Sequence, residues 1–151
     1  MAISTLCHQL LFREGSSSDG CSTVERYSTD FLIDGNSLLG ALVKVNGGHS
    51  DFMGCFVKEF PDHNRRAREK FMLKATPDTE RGGVLLYICP ECGDIGCGAY
   101  SARITRTESG YTWEDFAYEN GYEEPRTIEG IGPFHFAHDA YESALRGASV
   151  L

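Results

Sequence analysis

Between residues 84 and 118 the apolar and polar positions follow two patterns, one continuous and one alternating. "VLLYI", 84–88, is an unbroken apolar run rich in branched side chains, as expected of a central strand covered on both faces. Further on, Tyr100, Ala102 and Ile104 alternate with Ser101, Arg103 and Thr105, which predicts a strand with one buried and one wet face. "ESG", 108–110, reads as a hairpin turn. In "YTWEDFAY" the rings stand at 111, 113, 116 and 118, so the period of two slips by one residue. A β-bulge near Glu114 and Asp115 would keep all four rings on one face. The pattern therefore predicts an antiparallel meander over about 84–118, with a cysteine knuckle in its first hairpin.

The flanking segments add helices and further strands. "VERYSTDFLIDG" reads as a strand ending in the turn Asp34-Gly35, and "NSLLGALVK" as a short helix with Asn36 or Ser37 as N-cap. "FMGCFVKEF" is expected to be a second strand. "PDHNRRAREKFMLKA" opens at Pro61 and Asp62 as a helix, with Ala67 and Phe71 four apart on one face. In "FAHDAYESALRG" a helical face is formed by Ala137, Ala140, Tyr141, Ala144 and Leu145, closed by Arg146 and Gly147. "REGSSSDGCST" has no apolar period and reads as a loop. The fold class expected is α+β, with helices packed on an antiparallel sheet.

Size and composition narrow this picture. A chain of 151 residues is about one domain long, enough to bury roughly 68–70% of its unfolded surface without disulfides. No apolar run approaches the ~18–20 residues that span a bilayer, so no membrane partner is expected. "MAISTLCHQLLFREG" has no basic n-region, and His8 and Gln9 break its apolar run, so the chain reads as cytoplasmic. The net charge of −8 disfavours nucleic acid and anionic lipid as bulk partners and favours a basic protein.

The cysteines are the most specific chemical signal. Cys7, Cys21 and Cys55 are scattered, whereas Cys89, Cys92 and Cys97 fall inside "CPECGDIGC". A Cys-x-x-Cys turn places two thiolates on one zinc ion, and Pro90 and Gly93 suit a tight knuckle. A ribbon would need a second Cys-x-x-Cys, and in the spacing of a nucleic-acid-binding knuckle the last ligand position is Ala102. Three ligands therefore remain, with a fourth from His135, His138, His49, Cys55, Asp94 or water. His135 is the choice carried forward, and a zinc so held is expected to be structural. Three thiolates blunt the Lewis acidity that a catalytic zinc needs, and a redox motif of thioredoxin type would sit at a helix N-terminus.

No G-x-S-x-G, H-E-x-x-H, Walker A loop or G-x-G-x-x-G is present, and no catalytic residues are assigned. His135 and His138 read as a pair at the start of the last helix, and Arg65, Arg66, Arg68 and Lys70 as a solvated helix face. Residues 107–129 stand apart. They hold seven acids (Glu108, Glu114, Asp115, Glu119, Glu123, Glu124, Glu129) against Arg126 alone, most of the molecule's negative charge. Five rings, Tyr111, Trp113, Phe116, Tyr118 and Tyr122, are interleaved with them. Rings that anchor and carboxylates that steer make a surface for a basic partner, unless the rings are core and the acids the wet side of a strand. The candidate partner-binding residues are Trp113, Glu114, Asp115, Glu119, Tyr122, Glu123 and Glu124.

"LLYICPECGDIGCGA", followed by "W" and "DF", then "GIGPFHF" and "AYESAL", resembles a widespread family of small, largely uncharacterised bacterial proteins. The resemblance covers roughly residues 84–145. It implies a bacterial cytoplasmic protein and brings no catalytic residues to transfer; the first eighty residues carry no pattern of that family. The expectation is a non-enzymatic binding protein, an immunity-type inhibitor whose acidic, aromatic surface occludes the active site of a cognate toxin. The rival is a zinc-dependent enzyme or redox protein built on Cys89, Cys92 and Cys97.

Overall fold

A computed structural model describes residues 2–18, 21–23, 25–91 and 98–151. Strand β1 (Leu6–Arg13) is followed by a hairpin of β2 (Ser16–Ser18) and β3 (Cys21–Thr23), where a loop is expected from composition. Strand β4 (Arg26–Ile33) returns antiparallel along the whole of β1, from Arg13 opposite Arg26 to Leu6 opposite Ile33. After the turn at Asp34 and Gly35, both at positive φ, β5 (Asn36–Ser37) completes a three-stranded sheet in the order β1-β4-β5. Helix α1 (Leu38–Asn46) begins where expected, because the Ser37 hydroxyl accepts from the Gly40 N–H.

The segment expected to be a second strand forms only β6 (Met53–Gly54) and then crosses between two sheets. The Cys55 N–H donates to the Leu86 carbonyl at 3.1 Å, while the Thr29 N–H donates to Phe56 at 3.0 Å and the Lys58 N–H to Tyr27 at 2.9 Å. Its pairing passes from β7 at residues 53–55 to β4 at residues 56–58, so it runs along neither strand for more than a few residues. Gly54 permits the crossing: a Cβ there would lie 1.7 Å from the Thr29 carbonyl oxygen.

Helix α2 (Pro61–Phe71) carries proline in its first turn and buries Ala67 and Phe71. The meander follows as β7 (Gly83–Ile88), β8 (Ala99–Arg106) and β9 (Gly110–Glu119), all antiparallel. Ser101 pairs with Ala117 but Arg103 with Glu114, so β9 holds an extra residue at the expected bulge, where Asp115 takes φ 52°. Tyr111, Trp113 and Phe116 are buried and Tyr118 half-buried. Beyond β9 lie β10 (Arg126–Thr127), against its C-terminal end, and β11 (Phe134–Ala137), against its N-terminal end. The larger sheet runs β10-β9-β8-β7-β6, with β11 beside β9. Helix α3 (His138–Ala148) buries Tyr141, Leu145 and Ala148, and Gly147 lies within its last turn rather than past it.

The fold is α+β, with antiparallel sheets and three helices packed on them. Its core is aromatic. Phe31 of β4 meets Phe56, Phe71, Tyr87 and Trp113 edge-on, with ring centroids 5.2–6.3 Å apart. The Trp113 Nε1–H donates to the Tyr141 hydroxyl, which donates to the Phe71 carbonyl, so one chain of hydrogen bonds joins β9, α3 and α2.

Candidate functional site

The acidic segment is divided between core and surface. Trp113 is fully buried, so the partner-anchoring role expected for it is corrected: its ring fills the core. Glu114 is half-buried at the bulge, and the exposed Asp115 carboxylate pairs with Arg103 at 3.0 Å. Glu119 is 5% exposed. Its carboxylate accepts from the Ser101 hydroxyl and lies 3.7 Å from the Arg81 guanidinium, so it is a structural acid and not a free surface charge. Arg81 also donates to the Asp115 carbonyl at 2.5 Å, tying the bulge to the loop before β7.

Around this pair opens a cleft of about 610 Å³, with Asp78, Thr79, Glu80 and Arg81 on one side and Gly121, Glu123, Glu124 and Pro125 on the other. Gly83 lets Glu119 and Ser101 approach the start of β7 closely, because a Cβ there would lie 2.7 Å from the Glu119 carboxylate and 2.9 Å from the Ser101 hydroxyl. The Asn120 side-chain oxygen accepts from the Tyr122 and Glu123 N–H groups, both at 2.9 Å, and folds the 120–123 segment into a turn. Tyr122 stands on that turn at 84% exposure.

Asp78 is committed twice, to Lys70 at 2.5 Å and to the Leu85 N–H at 2.9 Å. Glu80, Glu123 and Glu124 are exposed and have no ion-pair partner among the described residues. Of the seven residues expected at a partner surface, the structure thus brings Tyr122, Glu123 and Glu124 together over the buried Glu119. It adds Asp78 and Glu80, which sequence reasoning missed. Their only signal is an acidic loop before β7, and β7 must pair with β8, and β8 with β9, before that loop meets Glu123.

The cysteine knuckle is described only in part. Cys89 follows β7 and is half-buried, whereas Cys92 and Cys97, with Asp94, lie outside the described residues. Its first residues are anchored on β1 and β4. Arg26 Nε donates to the Pro90 carbonyl at 3.3 Å, and Arg13 pairs with Glu91 at 2.7 Å. Arg13 and Arg26 are opposite each other in the ladder, so one rung of the smaller sheet holds the start of the knuckle.

His135 lies far from Cys89, which corrects the expected fourth ligand. It pairs with Thr112, near the start of β9, while Cys89 follows β7 at the end where Ala99 faces Glu119. Seven residues of strand separate Thr112 from Glu119, about 20 Å. The His135 ring nitrogen Nδ1 is instead 2.8 Å from the Thr112 hydroxyl. His138 lies beside Asp139 and Glu142, His49 stacks on Phe52, and Cys55 is buried. Burial pushes the Cys55 thiol far above its usual range, so it stays protonated. Among the described residues no three of His, Cys, Asp and Glu gather into a metal site, and no helix is long and apolar enough to cross a membrane.

No family model, no curated protein and no solved structure matches this chain.

Proposed function

We propose that this protein is a non-enzymatic binding protein of the cytoplasm, an immunity-type inhibitor that receives a basic protein partner in its acidic cleft. The observation that carries the reading is the set Glu80, Glu123 and Glu124 around the cleft, unpaired among the described residues, beside the exposed ring of Tyr122. Three carboxylates without an ion-pair partner gain more from an incoming Arg or Lys than paired ones do, and an exposed tyrosine is a favoured interface anchor. A toxin acting on nucleic acid or nucleotides presents a basic substrate cleft, and covering that cleft would block its activity. Recovery of partners from the protein's own cells tests this, using wild type against the triple variant Glu80→Lys, Glu123→Lys, Glu124→Lys. A basic protein held by wild type and lost by the variant is the expected result, with the partner's activity inhibited by wild type alone. Equal recovery on both removes the cleft from the mechanism.

The proposal includes a structural zinc on Cys89, Cys92 and Cys97, closing the β7–β8 hairpin with a fourth ligand other than His135. Elemental analysis of the purified protein should give one zinc per chain, and Cys89→Ser should lose the metal and lower the melting temperature. A metal-free wild type ends the zinc assignment and leaves the cleft untouched.

A further inference from the structure

A second concavity lies between β7 and one face of α2, meeting the acidic cleft only at Asp78. His63, Arg66, Ala67 and Lys70, spaced i, i+3, i+4 and i+7, face Val84, Leu85 and Ile88. The groove has two compartments of about 300 and 320 Å³ that share His63, Arg66 and Ile88. The walls are mainly apolar: Val84, Leu85, Phe71 and the buried Cys55 in one compartment, Met53, Val57 and Phe60 in the other. Met53, Val57 and Ile88, with Ala99, form a small apolar cluster separate from the main core, on which Leu85 packs.

The charges around this groove are unequal in their commitments. At one end Lys70 holds Asp78 at 2.5 Å, and at the other Arg13 holds Glu91 at 2.7 Å. Arg26 donates to the Pro90 carbonyl and lies over the Phe60 ring. Arg65 pairs with Asp62, and Arg68 donates to Ser149. Arg66, at the waist shared by both compartments, has no hydrogen-bond or ion-pair partner among the described residues. His63 Nε2 lies 2.8 Å from the Cys55 carbonyl, which can only accept, so that nitrogen carries its hydrogen and donates. The anion-binding capacity of the groove therefore rests on Arg66.

We propose that this groove binds a small amphipathic carboxylate, an acyl or aryl acid, with its carboxylate on Arg66 and its apolar body against Val84, Leu85 and Ile88. A neutral apolar body laid over the groove would strip water from an unpaired guanidinium, at a cost that an anion removes by pairing with it. At about 30 Å³ per water-sized volume, each compartment accepts roughly ten non-hydrogen atoms. The protonated Cys55 thiol in the wall makes this a reversible binding site without covalent chemistry.

Octanoate and 1-octanol, titrated into the full-length protein below their aggregation limits, separate the two contributions. The readouts are methyl resonances of Val84, Leu85 and Ile88, with calorimetry for affinity. Octanoate should shift those resonances saturably and bind about tenfold or more tightly than octanol, the gain of a charge-assisted pair. Arg66→Ala, at an exposed position, should reduce octanoate to the octanol level. Absence of a saturable shift, equal binding of the two probes, or undiminished octanoate affinity in Arg66→Ala overturns the proposal. The triple variant at Glu80, Glu123 and Glu124 should bind octanoate like wild type, which keeps this site distinct from the acidic cleft.

Discussion

Asp30 is 2% exposed, and its carboxylate is held by three neutral donors: the Tyr87 hydroxyl at 2.6 Å, the Ser37 hydroxyl at 2.7 Å and the Gln9 amide at 2.9 Å. Tyr87 belongs to the larger sheet and the other partners to the smaller one, so a single buried acid fastens one to the other. The Tyr87 hydroxyl also accepts from the Phe31 N–H at 3.1 Å, and both burial and Asp30 push its pKa well above the usual tyrosine range. It therefore remains a donor at every pH the protein meets. Tyr87→Phe should cost about 1.5–3 kcal/mol, the worth of a buried hydrogen bond to a charged group. Tyr122→Phe, on the surface, should stay within about 0.5 kcal/mol of wild type. Urea denaturation of both variants checks this, and equal midpoints would mean that Asp30 finds another donor. A sequence shows Asp30 only as a polar residue in an apolar strand; its partners are a fold-level fact.

Helix α3 is fixed to β9 through Glu142. Its carboxylate accepts from the Tyr111 hydroxyl at 2.7 Å and lies 3.1 Å from His138 Nε2 and 3.3 Å from Arg146. The Tyr111 hydrogen bond, with smaller help from His138 and Arg146, holds the Glu142 pKa below the usual carboxylate value. The sign of the consequence follows. Above the unfolded value of about 4.3 the stabilisation is fully present, and it is lost as pH falls through the lower folded value, because the unfolded chain takes up the proton first. Thermal unfolding of wild type and Glu142→Gln should therefore converge between about pH 5 and pH 3. Curves that stay parallel over that range would show that the carboxylate adds nothing to the link.

The elements themselves were legible to different degrees. The Ser37 cap, the proline-led start of α2 and the bulge at Asp115 were readable, because each is set by neighbours within a few residues. The crossing segment was not. "FMGCFVKEF" has strand composition, and its hydrogen bonds to both β7 and β4, with the close approach of Gly54 to Thr29, show that it serves two sheets.

For the molecule as a whole, net charge and its placement are separate matters. The excess of acid over base raises the encounter rate with any cationic partner, but only carboxylates left without local partners gain affinity from it. If the acidic cleft is the binding surface, wild-type affinity for the recovered partner should fall steeply as salt shortens the screening length below about 10 Å. The triple charge-reversed variant should show a much flatter dependence. The Arg66 groove, between α2 and β7, would contribute little to that slope, since its ligand carries one charge and its walls are mainly apolar.

The chain's own pattern carried the α+β class, the meander, the bulge and the last helix, because period and capping depend on residues a turn or a pleat apart. Tertiary structure decided which charges are free. Trp113 and Glu119 passed from surface to interior, His135 was placed about 20 Å along β9 from the end that adjoins Cys89, and Asp78 and Glu80 were brought into one cleft with Glu123. Each depends on registers between strands distant in sequence, and the resulting fold neutralises some carboxylates and cations while leaving Glu80, Glu123, Glu124 and Arg66 unpaired among the described residues.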